Sequence, residues 1–196
     1  MARSYEHDKL SEMALVWLGA KVTGRGMRGA TEVILGNGYV ADAVAICSLQ
    51  MRFYHEFLQL KPIICTAGHI TAEQQAELSS RVEDDFIFVF ESKVSRSDFL
   101  ATFKTNGTRH EPIGNIHFLV SPKDLCVDEL PDWWGWLIPA GNGLTIKKMP
   151  RYIRQSNSTR DSIAHSLLWR IPNYEWELMY GRGKYLTPTG AKGEAE

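Results

Sequence analysis

The chain has 196 residues, of which 44% are hydrophobic and 23% are charged, and its formal net charge at pH 7 is −1. This length and composition are typical of one well-packed globular domain. The near-zero net charge excludes a bulk electrostatic argument for nucleic-acid or membrane binding, so any such argument must come from local patches. No apolar run reaches the roughly 20 residues that a membrane helix needs.

The first part of the chain is predicted to form a helix and then a β-hairpin. Apolar residues recur at three- and four-residue spacing in residues 8–21, which predicts a helix with one apolar stripe: Leu10, Met13, Ala14, Trp17 and Leu18. Residues 23–29 are rich in glycine and arginine and predict a loop. Residues 31–35 and 39–46 have strand composition, and Gly36-Asn37-Gly38 between them is a turn signal.

The middle of the chain combines predicted helices with the strongest strand signal. Residues 48–60 and 71–82 are predicted helices, and residues 63–65 are a short strand or a buried loop. Residues 86–90, Phe-Ile-Phe-Val-Phe, suit a central strand that is covered on both faces. Because the helices fall between two predicted strands, we expect a helical insertion at residues 47–85.

The remaining predicted elements are a helix, a strand, a hairpin and a last helix: residues 98–105, 115–121, 134–139 with 144–148, and a helix from Ser156 or Ser158 to Trp169. Ser97 is expected to cap the first of them, and Gly141-Asn142-Gly143 to form the hairpin turn. Residues 181–196 are predicted to be a flexible tail. The sequence shows no repeat or linker, which favours a single α/β domain over residues 1–180.

Acidic residues on two predicted strands indicate a metal site. Asp42 is the one acidic residue in an apolar strand, and Glu91 and Lys93 follow the strongest strand. Glu91 and Lys93 are two apart and therefore share a face, and charges in buried strands are costly unless they are paired or bound to metal. Two converging carboxylates suit Mg²⁺ or Mn²⁺, which can acidify water and stabilise a leaving oxygen, and a nearby lysine can neutralise charge on a phosphate.

The chain resembles the PD-(D/E)XK nuclease superfamily in the order of its predicted elements. These are a helix, a strand, a tight turn, a strand with Asp, a strand ending in Glu-x-Lys, a helix and a strand. The segment from Glu91 to Lys104 more narrowly resembles the MmcB-like DNA repair proteins, in which Glu-x-Lys is followed by Asp-Phe and a further Lys. Thr31-Glu32, Val40-Ala41-Asp42 and residues 115–150 extend the likeness, which covers residues 8–170. Val40 departs from it, because the family's strand tends to be basic just before its Asp.

The resemblance implies a restriction-endonuclease-like fold with a central mixed β-sheet flanked by helices. It also implies a Mg²⁺- or Mn²⁺-dependent endonuclease or exonuclease that acts on single-stranded, duplex or branched DNA in repair or processing. Asp42 and Glu91 would bind the metal, and Lys93 would be the catalytic lysine. Glu12 matches an acidic position on the superfamily's first helix, and Lys104 matches a basic position on the helix after the third strand. The superfamily usually joins its two acidic strands by a short turn, whereas here the acids are 49 positions apart (42 to 91).

Other interpretations of these residues stay open. For the acidic cluster, the alternative is a structural ion pair. For the whole protein, the alternatives are a non-catalytic nucleic-acid-binding or partner-binding module that keeps the nuclease fold, and an enzyme acting on another class of substrate. Residues 24–29 match G-x-G-x-x-G, but they follow a helix and precede a strand, the reverse of the dinucleotide-binding order. Candidate phosphate contacts, which are alternatively plain solvated charges, are Arg25, Arg28, Lys147, Lys148, Arg151 and Arg154.

The remaining chemically distinctive side chains favour structural roles. His117 lies in a predicted strand and is expected to be a core or sheet-surface residue rather than a metal ligand. The nearby tryptophans could stack on bases, but Trp134 and Trp136 share a face of a strand, which predicts core packing. The cysteines at positions 47, 65 and 126 form no CxxC pair, and together with an amino terminus unlike a signal peptide they predict reduced thiols in a cytoplasmic protein.

Overall fold

The computed structural model describes residues 4–35, 38–49, 86–103, 112–122, 125 and 130–170, with the backbone alone at 22–26, 48–49 and 168–170. The elements of this part are α1 Tyr5–Gly19, β1 Val22–Ile34, β2 Val40–Leu49, β3 Phe86–Ser92, α2 Arg96–Phe103, β4 Ile116–Val120, β5 Trp134–Ala140, β6 Gly143–Lys148 and α3 Asn157–Arg170. Of the helices described, none is long and apolar enough to cross a membrane.

The six strands form one mixed sheet in the order β1-β2-β3-β4-β5-β6. Strands β1 to β3 form an antiparallel meander, β4 and β5 lie parallel to β3, and β6 returns antiparallel to β5. Because β3, β4 and β5 run in one direction, they finish at the same end of the sheet, where β2 begins. We call this the carboxyl end of the sheet. The predicted α/β class and mixed sheet are confirmed.

Helices cover both faces of the sheet. On one face α1 packs through Leu10, Ala14 and Leu18 against alternate side chains of β2, β3 and β4, including Phe88 and Phe118. On the other face, α3 covers β1 to β3 through Ile163 and Leu167. Helix α2 covers β4 and β5 through Phe99 and Phe103. All seven residues of β3 are buried, and for residues 86–90 the continuous apolar run predicted this.

One residue of β1 has a left-handed backbone. Glu32 has φ 54°, and because its neighbours Thr31 and Val33 pair with Ala43 and Ala41, it lies across from Asp42. Residues two apart on a regular strand share a face. Beneath α3, however, the packed residues are three apart: Ala30 and Val33 on β1, and Ala41 and Val44 on β2. The alternation is therefore interrupted at this level, and Asp42 contacts α1 on the opposite face of the sheet.

Several predicted boundaries were wrong. Residues 23–29 were predicted to be a loop but belong to β1, where Gly29 pairs with Ala45. A Cβ on Gly29 would lie 3.0 Å from a side-chain carbon of Leu15 and 3.2 Å from that of Ala45, so the glycine permits close packing of α1. The composition of residues 23–29 has weak strand propensity and therefore suggested a loop. Pairing with β2 overrides that propensity. This context also excludes the dinucleotide-binding interpretation of residues 24–29.

Helix starts and the predicted insertion also need correction. Helix α1 begins at Tyr5, and Ser4 caps it by accepting a hydrogen bond from the amide of His7 at 3.3 Å. Ser95 rather than Ser97 caps α2, because its hydroxyl accepts the Asp98 amide at 3.2 Å. Positions 47–49, predicted to begin the insertion and the helix at 48–60, belong to β2. Residues 50–85 and the tail at 181–196 lie outside the described residues.

Candidate functional site

The predicted acidic residues meet around one ammonium group at the carboxyl end of the sheet. Nζ of Lys93 lies 3.0 Å from Oε2 of Glu91 and 3.5 Å from Oδ2 of Asp42. Because both oxygens contact one nitrogen, they lie no further apart than the sum of these two distances. The pairing of β2 with β3 ends at Ala43 and Phe90, and one further step in register sets Asp42 opposite Glu91. Strand pairing therefore brings together two acids that are distant in the sequence.

The end of β3 is fixed on both sides. The amide of Ser92 donates a hydrogen bond to Oδ2 of Asp42 at 2.8 Å, so a side chain takes the place of a backbone acceptor of β2. The amide of Lys93 donates to the carbonyl of Val120 at 3.0 Å and continues the pairing with β4 by one residue. These bonds hold the backbone of the Glu-x-Lys triplet, which limits the positions open to its two charged side chains.

Two residues of α1 that the sequence patterns did not indicate contact this cluster. Nε2 of His7 lies 3.2 Å from Oδ2 of Asp42, and the hydroxyl of Ser11 lies 2.8 Å from that of Ser92. His7 and Ser11 are buried and four positions apart, so they lie on one face of the helix. Ser11 lies on the apolar side of the predicted helix, which is a signal in the sequence, whereas His7 precedes the helix predicted at residues 8–21.

Burial and charge pairing set the protonation of the cluster. Burial raises the pKa of Asp42, but the hydrogen bond from His7, the charge of Lys93 and the Ser92 amide outweigh it, and the pKa lies below its ordinary value. Burial lowers the pKa of Lys93, but the charges of Glu91 and Asp42 outweigh it, and the pKa lies above its ordinary value. At neutral pH Asp42 is therefore a carboxylate and Lys93 an ammonium, although each is no more than 5% exposed.

The donor set fits a cation that is bound through carboxylate oxygens. Mg²⁺ at phosphoryl-transfer sites is held by one or two carboxylates together with water and substrate phosphates. Asp42 and Glu91 supply two carboxylates that already share one positive charge, the ammonium of Lys93. Within the described ranges no group of three or more His, Cys, Asp or Glu side chains is arranged to hold a metal ion. These residues thus offer a two-carboxylate ligand set.

The two weaker sequence candidates do not strengthen this set. Glu12 is exposed on α1, because the helix directs the neighbouring face, with His7 and Ser11, toward the sheet. The expectation that Glu12 completes the site is therefore not supported by its position. Lys104 directly follows α2 and lies outside the described residues.

The candidate phosphate contacts Arg28 and Lys148 are both displaced from the cluster, Arg28 along the strands and Lys148 across the sheet. Arg28 pairs with Ile46, four residues along β2 from Asp42, which is about 13 Å at the usual rise of a strand. Lys148 pairs with Trp136 of β5, which pairs with Leu119 of β4 and is therefore level with Glu91. Lys148 is thus three strands from the cluster, about 14 Å at the usual strand spacing. The other members of this set are Lys147 on β6, Arg151 and Arg154 after it, and Arg25 on β1, whose side chain is not described.

Lys148 differs from its neighbours in this basic run. Its Nζ lies 3.2 Å from the carbonyl oxygen of Pro131 and 3.5 Å from that of Leu130, so its ammonium holds the segment before β5. Lys147 and Arg151 are exposed and suit a contact with a polyanion. The structure therefore separates the basic residues from the acidic cluster and assigns Lys148 a structural contact.

Trp134, Trp136 and His117 are part of the core. His117 is buried, its Nε2 accepts a hydrogen bond from the amide of Gly114 at 3.2 Å, and burial lowers its pKa to about 3. It is therefore neutral, and its predicted role as a core residue is confirmed. Trp134 and Trp136 pack in the cluster beneath α2, as their shared face predicted.

Comparisons with known proteins give one distant likeness. No family model and no curated protein matches the chain. A solved structure described as the SPO1766 protein of unknown function from Silicibacter pomeroyi is 17% identical, with a TM-score of 0.48, and the match covers 83% of this chain and 84% of that chain. These values are too low to assign a family or an activity, so the functional argument depends on the geometry of the site.

Proposed function

We propose that the chain is a divalent-metal-dependent nuclease of the PD-(D/E)XK type that hydrolyses phosphodiester bonds of DNA in repair or processing. The observation that carries this proposal is the convergence of Asp42 and Glu91, from antiparallel strands, on Lys93 at the end of the central strand. The element order supports it, because α1, an antiparallel meander, α2 and a strand parallel to β3 follow the order of the restriction-endonuclease-like fold. The MmcB-like proteins are the branch that the sequence most resembles.

In this proposal Asp42 and Glu91 hold Mg²⁺ or Mn²⁺, which when bound supplies Lewis-acid stabilisation of the phosphate charge and acidifies water. Lys93 keeps a positive charge beside the carboxylates, where it can neutralise charge that develops on the attacked phosphate. The amide of Ser92 and the imidazole of His7 hold Asp42, so the carboxylate needs little reorganisation during the reaction. Burial strengthens each of these interactions, because the local dielectric is lower than in water.

The test is cleavage of single-stranded, duplex and branched DNA with Mg²⁺, Mn²⁺ or a chelator. We expect Asp42→Asn and Lys93→Met each to lower kcat by about 100-fold or more. Asp161→Asn and Lys9→Ala are matched controls, because they remove the same charges from exposed helix positions, and they should keep full activity. Thermal unfolding of every variant separates loss of chemistry from loss of fold. Cleavage that persists in both site variants, or that the chelator leaves unchanged, would refute the assignment.

A non-catalytic nucleic-acid-binding or partner-binding module with the same fold is the second candidate. It is favoured by one observation: Lys93 already forms ion pairs with both carboxylates, while the exposed basic residues Lys147 and Arg151 lie elsewhere. In that case the protein binds DNA in the presence of a chelator and cleaves none of the substrates. Lys147→Ala with Arg151→Ala then weakens DNA binding, whereas Asp42→Asn leaves it unchanged.

A further inference from the structure

We infer that His7 is a positioning residue, whose imidazole fixes the carboxylate of Asp42 in the orientation that takes up a divalent cation together with Glu91. This inference rests on the proposed function, and it adds a residue from outside the predicted motif to that site. Helix α1 would then be part of the site's machinery as well as of the core.

The contact has a defined direction. Nε2 of His7 lies 3.2 Å from Oδ2 of Asp42, and because a carboxylate only accepts hydrogen bonds, Nε2 must carry the proton. The side chain of His7 is 9% exposed, so water competes little for this bond. The histidine thus donates a hydrogen bond to a proposed metal ligand, as outer-shell partners do when they orient ligating side chains.

Three donors converge on the same oxygen of Asp42. They are the amide of Ser92 at 2.8 Å, Nε2 of His7 at 3.2 Å and Nζ of Lys93 at 3.5 Å. Two of the three belong to the end of β3, so His7 is the one that approaches from a different element. A carboxylate that is held from two elements has less freedom to turn, and losing one of them should loosen it.

We expect α1 to stay in place without the imidazole. Leu10, Ala14 and Leu18 anchor the helix in the core, and the hydroxyl of Ser11 contacts that of Ser92 at 2.8 Å. Substitution of His7 should therefore leave the fold intact and change mainly the freedom of Asp42. A merely structural histidine would predict the reverse, a loss of stability with unchanged affinity for metal.

The test measures Mn²⁺ binding directly, by electron paramagnetic resonance of the free ion and by calorimetry, without DNA. His7→Met has a similar volume but no donor, whereas His7→Gln keeps an N–H that can reach a carboxylate. We expect the Kd for Mn²⁺ to rise about 10- to 100-fold in His7→Met and to recover in His7→Gln. His165→Gln, at an exposed position of α3, is the matched control and should bind as wild type does. Thermal unfolding verifies the fold, and His7→Ala replaces His7→Met if that variant does not fold.

The cleavage assay supplies a second measurement. We expect His7→Met to require more Mn²⁺ for half-maximal cleavage, with the KM for DNA unchanged, because the histidine acts on the metal ligand and not on the nucleic acid. Equal Mn²⁺ affinity in wild type and His7→Met would overturn the role of His7 alone. Failure of the wild-type protein to bind Mn²⁺ would overturn the proposed function and this inference with it, so the two failures are distinguishable.

Discussion

Substitution of Lys93 by Met removes a buried cation from between two carboxylates. The side chain of Lys93 is 7% exposed, and those of its partners Glu91 and Asp42 are 4% and 3% exposed. Removing one partner of a buried ion pair typically costs about 3–5 kcal/mol, because the remaining charge is left uncompensated. Here two carboxylates lose the same cation, so we expect a loss in the upper part of that range. This is a large share of the roughly 5–15 kcal/mol that stabilises a typical domain.

The pH dependence of this loss follows from the pKa directions. The pKa of Asp42 is lowered by folding, so its contribution is present above the ordinary value of 3.8 and disappears as pH falls through the folded pKa. The pKa of Lys93 is raised by folding, so its contribution is present below 10.5 and disappears as pH rises through the folded pKa. The deficit of Lys93→Met should therefore be full near pH 7 and should shrink in acid, where Asp42 gains a proton.

Urea unfolding followed by circular dichroism measures the deficit at several pH values. Lys147→Met removes an exposed lysine and should change the free energy of unfolding by no more than about 0.5 kcal/mol. If the proposed metal site is correct, saturating Mg²⁺ should stabilise Lys93→Met more than wild type, because a cation then replaces the ammonium. A deficit below about 1 kcal/mol at pH 7, or one that does not shrink in acid, would refute the argument from buried charge.

Three further substitutions test other parts of the structure. The pKa of His117 is about 3 in the folded protein and 6.5 ordinarily, so below pH 6.5 a proton binds the unfolded chain in preference to the folded one. The free energy of unfolding of wild type should therefore fall by about 1.4 kcal/mol per pH unit because of this group. Urea titrations of His117→Phe should lack this slope. Gly135→Ala places a Cβ 2.5 Å from a ring carbon of Phe118 and should cost about 1–3 kcal/mol in thermal unfolding, whereas Gly143→Ala meets open space and should be nearly neutral. At Glu32, with φ 54°, Val should destabilise by about 1–2 kcal/mol relative to Gly, and the opposite order would contradict the left-handed backbone.

Much of the sheet was predictable because its strands carry their own signals. Strand β3 is buried at all seven positions, and the aromatic and β-branched run at residues 86–90 indicates this directly for five of them. Residues 23–29 gave no such signal, because their glycines and arginines have weak strand propensity, and from Met27 onward they pair with β2. Propensity describes a segment in isolation, whereas pairing depends on a partner that lies elsewhere in the chain.

The site was predictable in part for a similar reason. Asp42, Glu91 and Lys93 stand out because a charge in an apolar strand needs a partner, and each of them has one in the structure. His7 and Ser11 did not stand out, because polar residues are ordinary on a helix until its packing partner is known. The apolar stripe indicates which face of α1 packs on the sheet. Which strand end that face meets is decided by the pairing and packing of the whole molecule, and that information is absent from the helix sequence.

The amide of Ser92 has an unusual hydrogen-bond acceptor for a residue at the end of a central strand. Its hydrogen bond runs to a side-chain carboxylate, whereas the next amide, that of Lys93, is bonded to the backbone of β4. A side chain can turn away while the strands stay paired, so the Ser92 proton can exchange with solvent during motions that leave the Lys93 proton protected. The ratio of these two exchange rates therefore reports how often Asp42 leaves its place, in the resting protein and without any substrate.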